Sequence, residues 1–439
     1  MTTDHRREIL RLAVPAFLAL IAEPLFLLAD SAIVGHLGTA ELAGLGVASA
    51  ALLTASGVFV FLAYGTTSVV ARHLGAGDRR SAVSAGVDGF WLAVGLGAVT
   101  AVAVAVWAEP ICALFGAGPE VLAQATTYLR VSAPGLPGML VVLAVTGVLR
   151  GLQDTTTPLV VSVFGFGANV ALNVGLVYGL GWGIAGSAWG TVIAQTGMAA
   201  ALMLVLVRKA RVLTARLRPH PGRVLAAART GAPLLVRTLA LRTTLLLTTW
   251  VAASMGDVTL AAHQVAMTIW SFLAFALDAL AIAAQAITGR ALGAGDRDAV
   301  RDAMGTMIRW GVWGGLGLGL LVAAGHSVIP ALFTPEPDVR AALGAALVVV
   351  GLGQAVSGYV FVLDGVLIGA GDGTWLAWGY VVALLGYLPV VLWVRAAGST
   401  GSAVHDIVVL WLAFTALMVI RAVVLGWRAR QDGWMRLGA

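Results

Sequence analysis

The chain has 439 residues, of which 59% are hydrophobic and 11% are Asp, Glu, Lys or Arg, and its formal net charge is +6. An ordinary soluble domain carries about 25% charged residues, so this composition excludes a water-facing surface around the whole chain and favours an integral membrane protein. The basic residues fall in short clusters between apolar runs, which argues against a nucleic-acid-binding surface.

Twelve apolar stretches follow one another along the chain, and each is long enough to cross a hydrocarbon core of about 30 Å. We predict membrane helices at 9–35, 42–71, 82–107, 120–149, 157–179, 184–207, 226–254, 259–288, 299–324, 339–368, 374–396 and 403–427. Helices are predicted because backbone groups in lipid must be paired internally. The first stretch is too long for the apolar core of a cleaved signal peptide, so we expect it to be retained.

Arginine and lysine are concentrated in alternate connections, and this asymmetry predicts the orientation of the chain. The basic connections and ends are 6–7, 72–80, 150, 208–229, 290–301 and 428–436. The intervening connections, such as 36–41 and 325–338, carry no lysine or arginine, and Arg395 is the clearest exception. We therefore predict a multi-pass plasma-membrane protein with both termini in the cytoplasm.

An internal repeat relates the two halves of the chain at a constant offset of 218 residues. Pro15 matches Pro233, and Leu74-Gly-Ala-Gly-Asp78 recurs as Leu292-Gly-Ala-Gly-Asp296. Because each half holds an even number of helices, both halves enter the membrane in the same direction and form parallel repeats. The predicted fold is an all-α integral membrane protein with twelve transmembrane helices in two parallel-repeat six-helix bundles around a central cleft.

Three segments follow from this repeat. We predict an N-lobe at 1–207, a basic cytoplasmic linker at 208–225, and a C-lobe at 226–439 that ends in a short cytoplasmic tail. Two similar lobes around a cleft suit alternating access, in which each lobe rocks about a site near the membrane midplane.

Several classes of functional site are excluded by residue types. Lys209 is the only lysine, so the chain has no G-x-x-x-x-G-K-[ST] phosphate loop. Cys112 is the only cysteine, and the seven histidines have no metal-ligand spacing. We expect no enzymatic activity, no permanent metal and no cofactor.

Asp30 is the first candidate functional residue, because it lies about 21 residues into the first predicted helix. An ionised Asp at the bilayer centre costs about 2.5–3.5 kcal/mol on insertion scales, unless it is neutralised, paired or facing water. Asp30 is therefore either a group that loads and releases a cation or a partner in a helix–helix hydrogen bond. Glu23, two turns earlier on nearly the same face, is a weaker candidate. Pro15 and Pro24 remove backbone donors from this helix and make it bendable.

Polar side chains in the fifth and sixth predicted helices form a second candidate set. Asn169 and Asn173 are four residues apart on one helix face, and Thr191 lies in the sixth helix. Together with Asp30 they offer the oxygen ligands that a hard cation prefers, so transient Na⁺ binding is one interpretation. Ordinary interhelical hydrogen bonds are the other.

The second half carries different intramembrane charges. Thr248 stands where the repeat would place a second Asp30, so cation binding is predicted for the N-lobe alone. Arg237 and Asp278 each lie about 16 Å from the cytoplasmic ends of adjacent antiparallel helices, and we predict that they pair. Arg242 lies deeper and is a candidate for the cleft surface.

Several motifs in the chain resemble those of one transporter family. They are Pro15 with Asp30-Ser-Ala-Ile-Val-Gly-His-Leu-Gly38, Leu260-Ala-Ala-His-Gln-Val265, Ala283-Ala-Gln-Ala286 before Gly289-Arg-Ala-Leu-Gly293, and the repeated Leu-Gly-Ala-Gly-Asp. Together they resemble the multidrug and toxic compound extrusion (MATE) family, in its DinF-like branch, over nearly the whole chain.

This resemblance implies exchange of H⁺ or Na⁺ for drugs, dyes or other amphiphilic, often cationic, compounds. It implies that Asp30 is the first-helix carboxylate whose protonation accompanies bending near Pro15, and that Asn169, Asn173 and Thr191 are N-lobe cation-binding positions. Some relatives carry a second acidic residue where this chain has Asn173, so the resemblance does not supply a second proton carrier.

Two alternatives within the same superfamily stay open, an exporter of organic anions and a lipid-linked saccharide flippase. A flippase of this kind usually presents several basic residues to a central cavity, and Arg237 and Arg242 are the clear candidates here. We expect the partners to be the lipid bilayer and a small-molecule substrate, with no nucleic acid, and we expect a monomer.

Overall fold

The computed structural model describes the backbone of Thr2–Gly438 and the side chains of residues 6–438. Within these residues the α-helices are α1 Thr2–Gly35, α2 Thr39–Phe59, α3 Phe61–Gly75, α4 Arg79–Ala113, α5 Pro119–Ser132, α6 Leu136–Gly151, α7 Thr156–Val174, α8 Gly183–Val212, α9 Pro221–Ala253, α10 Asp257–Gly293, α11 Arg297–Ala324, α12 Ile329–Phe333, α13 Pro337–Gly369, α14 Gly373–Ala397 and α15 Ala403–Ala429. Short 3₁₀ turns lie at Ala133–Gly135 and Asp432–Trp434, and a π-helical turn at Gly175–Gly179.

Twelve membrane-spanning segments are present in this described part of the chain. Two of them are built from two helices each: α2 and α3 meet at Val60, and α5 and α6 are joined through the 3₁₀ turn at Ala133–Gly135. Pro134 and Pro137 supply no backbone N–H at that joint, which favours the interruption. The short helix α12 does not span. The predicted all-α fold with twelve transmembrane helices is confirmed.

The repeated Leu-Gly-Ala-Gly-Asp sequence forms the same helix-to-helix turn in both halves. Gly77 and Gly295 both have φ of +79°, a conformation that glycine adopts without steric cost. The side chains of Asp78 and Asp296 then cap the next helix, each accepting a hydrogen bond from the backbone N–H three residues later at 2.8 Å. Hydrogen bonds from Ser81 hold the pKa of Asp78 below its ordinary value.

The same turn also closes α6 and α13. Gly371 takes the left-handed position before Asp372, with φ of +71°, whereas Gln153 takes it before Asp154, with φ of +62°. The backbone N–H groups of Asp154 and Asp372 bond back to Leu149 and Leu367 carbonyls, as in the other two turns. One backbone motif therefore recurs four times along the chain, twice in each half.

Contacts between residues divide the chain into two compact units. One comprises Val14–Ala232, and the other comprises residues up to Ala13 together with Pro233–Gly438. The divisions fall inside α1 and α9, just before Val14-Pro15 and directly before Pro233, whereas the predicted lobes divide at the basic linker. The predicted domain boundaries at 207 and 226 stay a prediction.

Each unit has its own apolar core. In the Val14–Ala232 unit, one cluster of buried side chains joins α1, α2, α4, α5 and α8, with Val34, Leu45 and Tyr128 among its members. In the other unit, Trp270, Trp411 and Phe414 form edge-to-face pairs at ring-centroid distances of 5.1 Å. The Trp270–Phe414 pair holds α10 against α15, whereas the Trp411–Phe414 pair lies within α15.

Small residues bring α11 and α13 into close contact. Gly311 and Gly315 lie one turn apart on α11, and a Cβ atom on Gly311 would stand 2.6 Å from the Gly358 carbonyl oxygen of α13. A Cβ on Gly315 would collide with the carbonyl oxygen of Gln354. Close backbone approach through small residues is a common way of packing membrane helices.

Candidate functional site

The carboxylate of Asp30 lies at the centre of a buried hydrogen-bond network in the Val14–Ala232 unit. Asp30 is 2% exposed, and its Oδ1 accepts hydrogen bonds from the Ser187 hydroxyl at 2.5 Å and from the Asn173 amide nitrogen at 2.8 Å. Its Oδ2 accepts a third from the Tyr128 hydroxyl at 3.2 Å. Donors from α5, α7 and α8 therefore converge on one carboxylate of α1.

The chemistry of these donors suits a group that changes its protonation state. The three donors satisfy an ionised Asp30 away from water, where a bare carboxylate would be costly. A protonated carboxyl also needs an acceptor for its own hydrogen. The hydroxyls of Ser187 and Tyr128 can rotate to accept that hydrogen, whereas the Asn173 amide nitrogen can only donate. The network can therefore be satisfied with or without a proton on Asp30.

A second pair of polar side chains continues the network along α7 and α8. Asn169 Nδ2 donates to Thr191 Oγ1 at 3.2 Å, and Tyr128 also interacts with Thr191. The Oδ1 atoms of Asn169 and Asn173 are buried and have no hydrogen-bond partner among the described residues. An unsatisfied buried acceptor costs about 1–3 kcal/mol, so these two oxygens are candidate ligands for a water molecule or a cation.

The structure thus brings together candidate residues that lie far apart in the sequence. Asp30 contacts Asn173 directly, and Asn169 with Thr191 forms the adjoining pair. Their role in cation coupling stays a prediction. Ser187 was missed by sequence analysis, although it lies four residues before Thr191 on the same helix face, and that spacing is a usable signal.

Tyr178 makes another contact that sequence analysis missed. It lies in the π-helical turn Gly175–Gly179, directly after α7, and its hydroxyl donates to the Ile33 carbonyl oxygen of α1 at 2.5 Å. Turns of this type occur frequently at functional sites. The end of α1 is therefore attached to α7 and its π turn at two points, through Asp30 and through Ile33.

The remaining candidates on α1 have no such contacts. Glu23 is exposed and has no hydrogen bond or ion pair with a described residue. Pro15 and Pro24 lie inside the continuous helix α1. An ionised side chain facing lipid is costly, and the functional role of Glu23 stays a prediction. Bending at the two prolines stays a prediction.

The unit containing Pro233–Gly438 holds a different buried charge pair. Arg237 and Asp364 are 5% and 6% exposed, and the guanidinium binds the carboxylate through two nitrogens, with Nε 3.1 Å from Oδ1 and one Nη in direct contact with Oδ2. Asp364 was not predicted as a partner. The predicted pairing of Arg237 with Asp278 stays a prediction.

Tyr380 connects this pair to a second buried arginine. Arg421 is 3% exposed and donates to the Tyr380 hydroxyl at 2.5 Å, while the guanidinium carbons of Arg237 and Arg421 lie 4.7 and 4.9 Å from the Tyr380 ring centroid. Arg242 is exposed and has no hydrogen bond or ion pair with a described residue. Buried pairs of this kind hold helices in register, and the place of Arg242 on the cleft surface stays a prediction.

The position that matches Asp30 in the repeat is occupied by a neutral pair. Thr248 Oγ1 lies 2.7 Å from the Tyr387 hydroxyl and donates to the Thr244 carbonyl at 2.8 Å. The carboxylate network is therefore present in one half and replaced by hydroxyls in the other. No group of three or more His, Cys, Asp or Glu side chains between residues 6 and 438 is arranged to hold a metal ion.

Comparison with known proteins gives consistent matches over the full length. The MatE family model matches residues 15–174 and 233–393, and the two matches begin 218 positions apart, the offset of the internal repeat. Protein DETOXIFICATION 44, chloroplastic, of Arabidopsis thaliana is 32% identical over 98% of this chain and 84% of its own length. DNA damage-inducible protein F of Escherichia coli is 29% identical over 97% of this chain and 93% of its own length.

Solved structures share the fold. The crystal structure of a MATE protein in the straight conformation has a TM-score of 0.87 and 22% identity, covering 98% of this chain and 97% of its own.

Proposed function

This chain belongs to the MatE family of multidrug and toxin efflux transporters, and from that premise we propose that it is a secondary active exporter that exchanges H⁺ for small amphiphilic or cationic organic compounds by alternating access. Members of this family are transporters and not enzymes, as the sequence predicted. Relatives named as probable multidrug resistance proteins support the substrate class. One observation carries the proposal: a buried carboxylate, Asp30, receives hydrogen bonds from three other helices.

The first step of the argument is that Asp30 exists in two states. A proton on Asp30 removes the negative charge on which the Ser187, Asn173 and Tyr128 donors converge. Hydrogen bonds to an ionised acceptor are about twice as strong as neutral ones, so protonation weakens the attachment of α1 to α5, α7 and α8. The bond from Tyr178 to Ile33 does not involve Asp30, so it persists when Asp30 is protonated.

The second step links this change to the substrate. The transporter has two states, one with α1 loosened and one with α1 tightly held. If the protonated, loosened state binds the exported compound more weakly, proton and substrate weaken each other's binding by the same factor. A tenfold effect needs about 1.4 kcal/mol, which is within the range of one charged hydrogen bond. Pro15 and Pro24 give α1 the bendable points that such a movement requires.

Sodium is the second candidate for the coupling ion. The buried Oδ1 atoms of Asn169 and Asn173 have no hydrogen-bond partner among residues 6–438, and they lie beside the Asp30 network. Two amide oxygens, a carboxylate and the Thr191 hydroxyl form the kind of all-oxygen set that hard cations prefer. These residues would hold Na⁺ only transiently, and the transporter needs no resident cofactor.

The cellular context is proposed from the chain's charge pattern. The protein is a multi-pass membrane protein, and we place it in the plasma membrane, as a monomer, with both termini in the cytoplasm. The Arg-rich connections support this orientation. Some relatives are chloroplastic by name, and the same topology would serve in another membrane.

Dye efflux from proteoliposomes tests the proposal. The wild type should export a cationic dye when a pH gradient is imposed, and Asp30→Asn should abolish that gradient-driven efflux while keeping its fold. Thr248→Val is the matched control, because it changes the repeat-equivalent position in the other half and should retain efflux. Efflux driven only by a Na⁺ gradient would mean that Na⁺, and not H⁺, is the coupling ion. A folded wild type that moves no dye under either gradient would favour the organic-anion or flippase alternatives.

A further inference from the structure

A cavity lies in the Val14–Ala232 unit, and none of its lining residues belongs to the Asp30 network. It has a volume of about 210 Å³ and is enclosed by α3, α4 and the first turns of α9. Its apolar lining includes Phe61, Leu62, Val69 and Leu92. Arg223 in its lining belongs to the basic stretch 208–229 that the sequence predicts on the cytoplasmic side.

Close helix packing shapes one end of this cavity. A Cβ atom on Gly231 would stand 2.8 Å from the Phe61 ring, and a Cβ on Gly65 would stand 3.9 Å from Gly231. The absence of side chains at these two positions lets α9 approach α3. The cavity is therefore built by the helix packing itself and not by a loop.

Asp88 is the acidic residue in the lining of the cavity. The two threonines in the lining are already hydrogen-bonded, Thr66 to the Leu62 and Ala144 carbonyls and Thr230 to the Ala226 carbonyl. Asp88 is half-buried and has no hydrogen bond or ion pair with a described residue. It lies nine residues into α4, about 14 Å along the helix from Arg79.

The basic residues near the cavity are all exposed. Arg223, in the first turn of α9, lines the cavity, and Arg223, His220 and Arg216 all interact electrostatically with Asp88 from exposed positions. The linker is fixed there because Trp91 Nε1 donates to the Leu217 carbonyl at 2.9 Å. Charges in water are screened within about 8 Å at physiological salt, whereas a carboxylate between apolar walls is screened less.

We propose that this cavity is a second binding site, which takes a small amphipathic organic cation. The ammonium group of the ligand pairs with Asp88, and its apolar body lies against Phe61, Leu62, Val69 and Leu92. An alkylammonium also gains from the face of the Phe61 ring. Thr306 is the repeat-equivalent position of Asp88, so the carboxylate of this site is present in one half of the chain only.

The position of the cavity assigns it a role in loading. A cation entering from the Arg-rich side would meet Asp88 before it reached the membrane midplane. This role rests on the proposed export function, whereas binding to the cavity does not, because it requires neither an ion gradient nor transport. The two proposals can therefore fail separately.

Cysteine labelling of the detergent-solubilised protein tests the charge preference of the cavity. Cys112 is the only cysteine, so Cys112→Ala gives a cysteine-free background. Ala85→Cys then places a thiol in the lining, one turn from Asp88, and Ser327→Cys places a control thiol at an exposed position of the other unit. Each thiol is labelled with a cationic (trimethylammonium) and an anionic (sulfonate) methanethiosulfonate reagent.

The ratio of cationic to anionic labelling rates should be several-fold higher at position 85 than at position 327. Asp88→Asn should lower the ratio at 85 on the order of tenfold, because a charge one helical turn away attracts one reagent and repels the other, and Asp88→Glu should preserve it. Arg223→Gln should leave the ratio unchanged or raise it. A ratio at 85 that does not respond to Asp88→Asn would overturn the proposal.

Protection by a ligand completes the test. Benzyltrimethylammonium should slow the labelling of position 85 by a neutral reagent in the protein with Asp88 and not in Asp88→Asn, and benzenesulfonate should give no protection in either. Protection by benzenesulfonate that is lost in Arg223→Gln would mean an anion site and refute the proposal. The proposal is also refuted if the neutral reagent cannot reach position 85, because the cavity is then closed to solutes.

Discussion

Replacing one member of the buried ion pair Arg237–Asp364 by an apolar residue should destabilise the unit that contains it by several kcal/mol. The two side chains are 5% and 6% exposed, and the guanidinium binds the carboxylate through two nitrogens. Water therefore does little to screen the attraction between the two charges. Removing one partner of a buried pair typically costs about 3–5 kcal/mol, because the other charge stays buried. We expect Asp364→Leu alone to cost about 3 kcal/mol or more.

The double variant Arg237→Met with Asp364→Leu should recover most of this loss. Replacing both partners of a buried ion pair by apolar side chains is often neutral or stabilising. The coupling free energy from the double-mutant cycle should therefore exceed about 2 kcal/mol. Equilibrium unfolding in mixed micelles measures all four proteins of the cycle.

A second cycle, with Asp278→Leu in place of Asp364→Leu, measures the pairing that the sequence predicted. If the Asp364 cycle is additive within about 0.5 kcal/mol, the assignment of Asp364 as the structural partner of Arg237 is refuted. Strong coupling in the Asp278 cycle alone would transfer the assignment to Asp278.

Three further substitutions follow from individual contacts. Tyr178→Phe removes the hydrogen bond to the Ile33 carbonyl and should reduce the efflux rate in proteoliposomes. The loss in stability should be about 1 kcal/mol or less. An unchanged efflux rate would show that Tyr178 has no role in transport. Gly315→Leu should prevent close packing of α11 on α13, seen as loss of the monodisperse protein in size-exclusion chromatography, and normal yield and melting temperature would contradict this packing. Gln153→Gly should raise the free energy of unfolding by up to about 1 kcal/mol, since Gln153 holds a left-handed φ of +62°, and a lower melting temperature would contradict the strain.

The sequence was most informative where a pattern repeats along one helix. Family membership and the twelve spans were predicted correctly, because each span is a long apolar run and the halves repeat at one offset. Asn169 and Asn173 could be placed on one face of α7 from their spacing of four residues. The prediction that these two asparagines lie close to Asp30 rested on the family resemblance and on their polarity, and not on any spacing rule.

Contacts between helices were predicted less well. Tyr128 and Ser187 approach Asp30 from α5 and α8, and a tyrosine or serine in an apolar helix carries no signal of its partner. Asp364 was missed for a geometric reason. Sequence gives the depth of a residue along its helix but not the direction in which its side chain points around the axis. Depth was also uncertain for Arg237, since α9 begins at Pro221 and not at the predicted 226.

The cavity beside Asp88 shows a further limit of sequence-based prediction. The linker was predicted as a basic connection, and no sequence pattern indicates that Trp91 fixes it to α4. Gly65 and Gly231, which allow α9 to approach α3, are two of 55 glycines in the chain. With so many glycines, the sequence does not show which of them allow two particular helices to pack closely.

The most direct test of the central claim is proton release on substrate binding. A cationic substrate should be added to the purified protein in weakly buffered detergent solution, with a pH-sensitive dye as the reporter. Exchange at Asp30 predicts that the wild type releases protons into solution when it binds the substrate, and that Asp30→Asn binds the substrate without releasing protons. Equal proton release from both proteins would contradict the assignment of Asp30 as the exchanging group.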